Sequence, residues 1–173
     1  LVVVRHLSPE KGILISKDAV LQPQEAGKLI VGEYLSPREL LYPLLMESSN
    51  DAAYAFAESI GFSEFVRRMN GEAERLGMTE TYFTNPAGFD TEDAAGRAPV
   101  STARDLVRLA RVLVEEYPEL IAIMGTERRE VRSPEGKPHH TAFNTNGLLR
   151  EHGLPLEIVG GKTGLTPQAG ECL

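Results

Sequence analysis

At 173 residues the chain has room for one domain with a conventional core and little room for a second. Hydrophobic residues at 42% and charged residues at 25% are ordinary for a globular protein, and a formal net charge of −7 argues against a nucleic-acid partner. No stretch approaches the roughly 18 apolar residues of a membrane-spanning helix, and the basic pairs Arg67-Arg68 and Arg128-Arg129 read as solvated faces.

Residues 1–7 read as the last turns of a helix, broken by Ser8-Pro9-Glu10-Lys11-Gly12 because Pro and Gly make poor helix interior. The chain opens on Leu-Val-Val-Val without a capping residue and closes on Glu-Cys-Leu within a strand-like run. A single domain over 1–173, incomplete at both ends, is therefore expected. Residues 13–16 are β-prone, and residues 17–35 are polar with short extended pieces such as 28–31. Ser36 then caps a helix with Pro37 at its first position and Glu39 three residues after the cap. Leu40, Leu41, Leu44 and Leu45 form its apolar face, and Pro43 bends its last turn. A second helix runs from about Asn50 or Asp51 to Gly61. Its Ala52, Ala53, Ala55 and Ala57 suit close packing inside the domain.

Residues 63–76 carry Phe65, Met69, Ala73 and Leu76 on one helical face and stop at Gly77. No period runs through 81–100, where Asn85-Pro86 and Gly88-Phe89-Asp90 mark a surface loop. Ser101 or Thr102 caps the next helix. Leu106, Leu109, Ala110 and Leu113 are expected to face the core, with Arg104 and Asp105 in local surface pairs. Residues 126–132 are strand-like, and 158–164 and 169–173 read as a hairpin around Leu165-Thr166-Pro167-Gln168. Cys172, the one cysteine, excludes an internal disulfide and is expected as a buried thiol among Ala169, Gly170 and Leu173. Helices in the middle and strands at the end predict an α+β fold rather than a parallel βαβ array.

Two triplets carry chemistry. Ser48-Ser49-Asn50 lies at a helix–helix junction, where a short hydroxyl can be held at a cleft edge to give or take a proton. Lys162-Thr163-Gly164 follows Gly160-Gly161 in the first arm of the hairpin. A lysine and a threonine hydroxyl beside a strand edge suit a carboxylate, and Gly164 removes bulk where a peptide would pair with that edge. On a regular strand Lys162 and Gly164 face one way and Thr163 the other. His6, His139, His140 and His152 match no common ligand spacing, so no metal or other cofactor is expected.

The two triplets, in this order, match the second and third motifs of the serine penicillin-recognising enzymes. The chain resembles the low-molecular-mass D-alanyl-D-alanine carboxypeptidases along most of its length. The resemblance runs through residues 40–53, Leu76-Gly77-Met78, residues 83–90, residues 101–106, Asn144-Thr145-Asn146, residues 161–166 and residues 169–173. It implies the β-lactamase/DD-peptidase-like fold, a helical cluster packed on an antiparallel sheet.

It also implies a site: Ser48 as the proton carrier to the leaving amine, Asn50 orienting the base and the substrate amide, and Lys162 and Thr163 holding the terminal carboxylate. Gly164 lies alongside, and the Leu165 N–H forms half of an oxyanion hole. The implied partner is a peptidoglycan stem peptide ending in D-Ala-D-Ala, with β-lactam antibiotics as acylating inhibitors. The implied location is the exported, periplasmic or cell-wall face of the cytoplasmic membrane, with membrane contact only through segments absent here.

One departure matters. The family's Ser-x-x-Lys nucleophile motif should open a helix well before Ser48. The only such spacing here, Ser8-Pro9-Glu10-Lys11, is followed at once by Gly12 and cannot hold both side chains on one helical face. The nucleophile is therefore expected upstream of Leu1, and the chain alone is expected to be inactive. Ser49 stands where the family often has glycine, and Ala98-Pro99-Val100 where a histidine is frequent. Two alternatives remain at this stage: a class A-like β-lactamase, which lacks its Glu-x-x-Leu-Asn element here, and a non-catalytic module binding D-Ala-D-Ala or β-lactams.

Overall fold

Small side chains decide where the core lies, because alanine lets neighbouring elements approach from several sides. In the computed structural model, which describes residues 1–9, 11–23, 26–151, 153 and 155–173, α4 (Asn50–Ile60) is that centre. It is packed by α2 (Lys17–Val20), α3 (Pro37–Met46), α5 (Phe62–Arg75) and β1 (Ile13–Leu14), while α1 (Val2–His6) rests on α5. Ala52, Ala55, Phe56 and Ala57 are fully buried and share a core with Ile13, Ile15, Leu35 and Leu40. β1 pairs antiparallel with β2 (Tyr34–Leu35), Ile13 opposite Leu35.

The helix starts follow their caps. The Ser36 hydroxyl accepts from the Glu39 N–H at 3.2 Å with Pro37 at the first position, and Ser49 accepts from the Ala52 N–H at 3.1 Å to begin α4. α5 ends in Gly77 at φ +69°, a conformation that suits glycine.

A second, smaller core joins Met46 of α3 to Leu120, Ile123, Val131 and Ala142. These come from α7 (Pro118–Met124), β3 (Arg128–Arg132) and β4 (Pro138–Phe143), the strands pairing antiparallel with Val131 opposite His140. α6 (Ala103–Glu116) leans on α7, and β5 (Gly164–Thr166) pairs with β6 (Gly170–Cys172). The fold is α+β. Among the described residues its β content is three separate two-stranded antiparallel pieces.

Several expectations are corrected. Residues 28–31 form no strand: Gly27, Lys28 and Gly32 at φ +87°, +47° and +89° curl the backbone there. The polar stretch holds the short helix α2 instead, capped by Ser16. The apolar face of α6 reaches the core only in part: Leu113 packs against the second core, whereas Leu106 is 48% exposed and Ala110 is exposed as well. Periodicity shows that a helix has an apolar face but not what covers it. α6 is anchored through Asp105, which is fully buried rather than in a surface pair. Its carboxylate accepts from the Glu80 N–H and Thr81 hydroxyl, both at 2.9 Å, and from Arg108. Cys172 is exposed, because the whole of β6 faces outward. The first arm of the terminal hairpin begins at Gly164 and not at 158, for reasons that shape the site below. Helix α7, strand β4 and the 3-10 turn Gly147–Arg150 were not anticipated, although Pro118 at the first position of α7 is a start signal.

Candidate active site

Glu47, Ser48 and Ser49 join α3 to α4, and Ser48 sits at φ +59°, in the left-handed region that costs a non-glycine residue roughly 1–2 kcal/mol. The strain is held by contacts on every side. Ser49, buried behind it, donates to the Ala26 carbonyl at 2.7 Å, and Asn50 Nδ2 donates to the Pro23 carbonyl at 2.7 Å. The Thr145 N–H donates to the Met46 carbonyl at 2.9 Å, while the Glu47 and Ser49 N–H groups both reach the Pro43 carbonyl. Gly27 is needed here: a Cβ on it would lie 2.8 Å from the Ser49 hydroxyl oxygen. The result turns Ser49 inward as a cap and leaves the Ser48 hydroxyl in the cleft.

The facing wall is residues 159–163, laid flat on the C-terminal end of α7. Glycines permit the approach. A Cβ on Gly125 would collide with the Val159 carbonyl, and one on Gly160 would lie 2.9 Å from the Ile121 carbonyl oxygen. One on Gly161 would lie 3.0 Å from Asn146 Nδ2. This docking is why residues 158–163 are not a regular strand arm. It also delivers two side chains to one place, against the strict alternation of a strand. Lys162 Nζ donates to the Ser48 hydroxyl at 2.7 Å and to the Thr163 carbonyl at 2.5 Å. Thr163 and Thr145 share a hydrogen bond between hydroxyls at 2.5 Å.

The third side is the loop 84–90 with the β5–β6 hairpin. Asn85 Oδ1 accepts from the N–H groups of Ala87, Gly88 and Phe89, curling the loop around one side chain. Asp90 then accepts from the Thr166 hydroxyl at 2.9 Å and the Gln168 N–H at 3.1 Å, pinning the hairpin turn. A cleft of about 1040 Å³ opens between these walls.

Ser48, Asn50, Lys162, Thr163, Gly164 and Leu165 all line this cleft. Gly164 and Leu165 do so from β5, and Leu165 is 63% exposed. Burial pushes the Lys162 ammonium down to about 8, which readies it to exchange a proton with a neighbour. Ser8 and Lys11 both lie outside the cleft lining, beyond α1, and Glu10 between them falls outside the described residues. His152 likewise falls outside them, and among the described residues no group of three or more His, Cys, Asp or Glu side chains is placed to hold a metal.

Two site residues escaped sequence reasoning. Asp90 and Thr145 were visible only as parts of longer matched runs, because their work is to bond the hairpin turn and Thr163, contacts that no local spacing announces. Thr145 is held between Asn144, whose Nδ2 donates to the Met124 and Thr126 carbonyls, and Asn146, whose Oδ1 accepts from the Leu148 N–H.

Helical cluster, cleft and hairpin together define the DD-peptidase class of fold. The solved structure of the D-alanyl-D-alanine carboxypeptidase from Mycobacterium tuberculosis H37Rv matches it with a TM-score of 0.84 at 29% identity, covering 98% of this chain and 61% of that one. The chain belongs to the D-alanyl-D-alanine carboxypeptidase family, whose sequence profile matches residues 4–173. It is 36% identical over 151 residues to the D-alanyl-D-alanine endopeptidase of Pseudomonas aeruginosa, covering 85% of this chain and 45% of that protein. It is 34% identical over 173 residues to the D-alanyl-D-alanine carboxypeptidase DacF of Bacillus subtilis, covering 95% of this chain and 42% of that protein. The chain thus spans less than half the length of these two curated relatives.

Proposed function

We propose that this chain carries the proton-transfer and carboxylate-binding half of a serine-type D-Ala-D-Ala carboxypeptidase. The observation that carries this reading is the 2.7 Å bond from Lys162 Nζ to the Ser48 hydroxyl, which joins two motifs 114 residues apart in sequence. A serine outside these 173 residues attacks the carbonyl between the two D-alanines, its hydroxyl proton passing to a neighbouring lysine. As the C–N bond breaks, Ser48 donates its proton to the departing D-alanine nitrogen, and Lys162 restores it. The terminal carboxylate is held by the Lys162 ammonium and the Thr163 hydroxyl through charge-assisted hydrogen bonds. Asn50 orients the substrate amide, and the Leu165 N–H supplies one donor to the oxyanion, each such donor being worth about 2.7–4 kcal/mol. Water then releases the acyl group. The substrate is a peptidoglycan stem peptide, β-lactams acylate the same serine, and the working location is the exported face of the cytoplasmic membrane.

The Ser48–Lys162 bond also favours a second reading, in which Ser48 is itself the nucleophile and the partly neutral Lys162 its base.

The test is release of D-alanine from a peptide ending in D-Ala-D-Ala by the intact protein. Ser48→Ala should slow release about 10²–10⁴-fold, and Lys162→Ala should both slow release and raise KM. Full activity in both variants contradicts the proposal.

A further inference from the structure

A second buried polar cluster lies behind the Ser48 wall of the cleft, and nothing in the mechanism above uses it. Strand β4 carries an extra residue: Arg132 lies opposite Pro138 and Val131 opposite His140, so His139 has no partner across the ladder. Such a bulge turns neighbouring side chains to the same side of a strand. The His139 and His140 rings meet edge-on at 73°, their Nδ1 atoms 2.6 Å apart. His139 Nε2 lies 2.9 Å from a Glu33 carboxylate oxygen, and His140 Nε2 lies 2.9 Å from Glu47. The ring side chains are 8% and 4% exposed, and the Glu33 carboxylate also accepts from the Ile30 N–H at 2.7 Å.

Each Nε2–carboxylate contact and the Nδ1 contact needs one proton between its two atoms, so the three contacts form one continuous hydrogen-bonded chain from Glu33 to Glu47.

The surrounding charges are otherwise engaged or face away. On β3, Arg129 lies by Glu39 and over the Tyr42 ring, Arg132 pairs with Glu130, and Arg128 is exposed. On α3, Arg38 lines a groove with Val3 and Leu7. Across the cleft, Lys162 is bonded to Ser48. Glu47 is the C-cap of α3 and the residue before the strained Ser48.

We propose that the chain Glu33–His139–His140–Glu47 is a positioning element for Ser48. It locks the α3–α4 turn by tying Glu47, the residue before Ser48, to Glu33 through the two rings. The inference rests on the reading of Ser48 as a proton carrier.

The test uses the intact protein. Its acylation by labelled penicillin is followed for the wild type and for His140→Gln, Glu33→Gln and Ser48→Ala, the rate constant being separated from the affinity of the initial reversible complex, beside nitrogen-15 NMR of the imidazoles. His140→Gln should be about tenfold slower while that affinity is retained. Glu33→Gln should be slower by a smaller factor, and it decides the matter if His140→Gln does not fold. The spectra should show one Nδ1 proton shared by the two rings.

Unchanged rates in both variants, with Ser48→Ala still slow, overturn the positioning role and leave the Ser48 reading standing. So do two rings whose Nδ1 atoms share no proton. An unimpaired Ser48→Ala removes both.

Discussion

Ser48 is held where a serine is disfavoured, at φ +59°, by bonds from Ala26, Pro43, Thr145 and Asn50 around its turn. Strain kept by its surroundings at a cleft edge is how a side chain is aimed rather than merely present. Ser48→Gly should therefore be more stable than Ser48→Ala by about 1 kcal/mol, because glycine adopts this conformation freely. Both should lose activity alike, since both lack the hydroxyl. Chemical denaturation of the two variants checks this, and equal stability would mean the turn is not strained.

Lys162 offers a test with two opposite signs. Burial lowers its ammonium from 10.5 to about 8. Between those values the unfolded chain holds a proton that the folded one has released, so stability rises with pH across that window. The charge that would hold a carboxylate is lost over the same rise. Affinity for a D-Ala-D-Ala peptide should thus weaken above about pH 8 while the fold becomes more stable. Lys162→Met should flatten both trends, as read by calorimetric titration and by melting at several pH values.

At the scale of elements, the lysine wall depends on bare backbone. Gly125, Gly160 and Gly161 let residues 159–161 lie against α7 and Asn146, and this approach carries Lys162 to Ser48. Gly160→Ala should cost about 1–3 kcal/mol by overpacking and should also impair substrate binding. Gly71→Ala, in the middle of α5 with open space around it, should instead stabilise by about 0.5–1 kcal/mol. A lower melting temperature for Gly71→Ala, or an unchanged one for Gly160→Ala, would contradict this packing.

The same elements show what a sequence exposes. Local signals were readable: Ser36-Pro37 opened α3, the alanine run marked the buried α4, and Gly77 closed the chain after α5. The six proposed site residues lie in one cleft, because two motifs of a known order identify them without any knowledge of distance. Signals that depend on a distant partner were not readable. Asp105 looks like a surface acid until Glu80 and Thr81 fold onto it. His139 and His140 look unrelated in orientation until the bulge turns them together. Cys172 has apolar neighbours in sequence yet belongs to a hairpin that faces outward.

At the scale of the molecule, α6 exposes Leu106, Val107 and Val114, and among the described residues β5 and β6 pair only with each other. Uncovered apolar surface and open strand edges promote association. The isolated 173-residue chain should therefore associate or melt broadly. A monomer on size-exclusion chromatography with a sharp, reversible thermal transition would contradict that.

The central claim, that these residues support an acyl-enzyme formed elsewhere, is tested most directly by intact-mass analysis after incubation with labelled penicillin. The isolated chain and the intact protein are compared, with peptide mapping of any adduct. The account predicts one adduct on the intact protein, at a serine outside the 173 residues, and none on the isolated chain. An adduct at Ser48 would make it the nucleophile and Lys162 its base. An adduct at Ser8, or none on either protein, would contradict the assignment of the site.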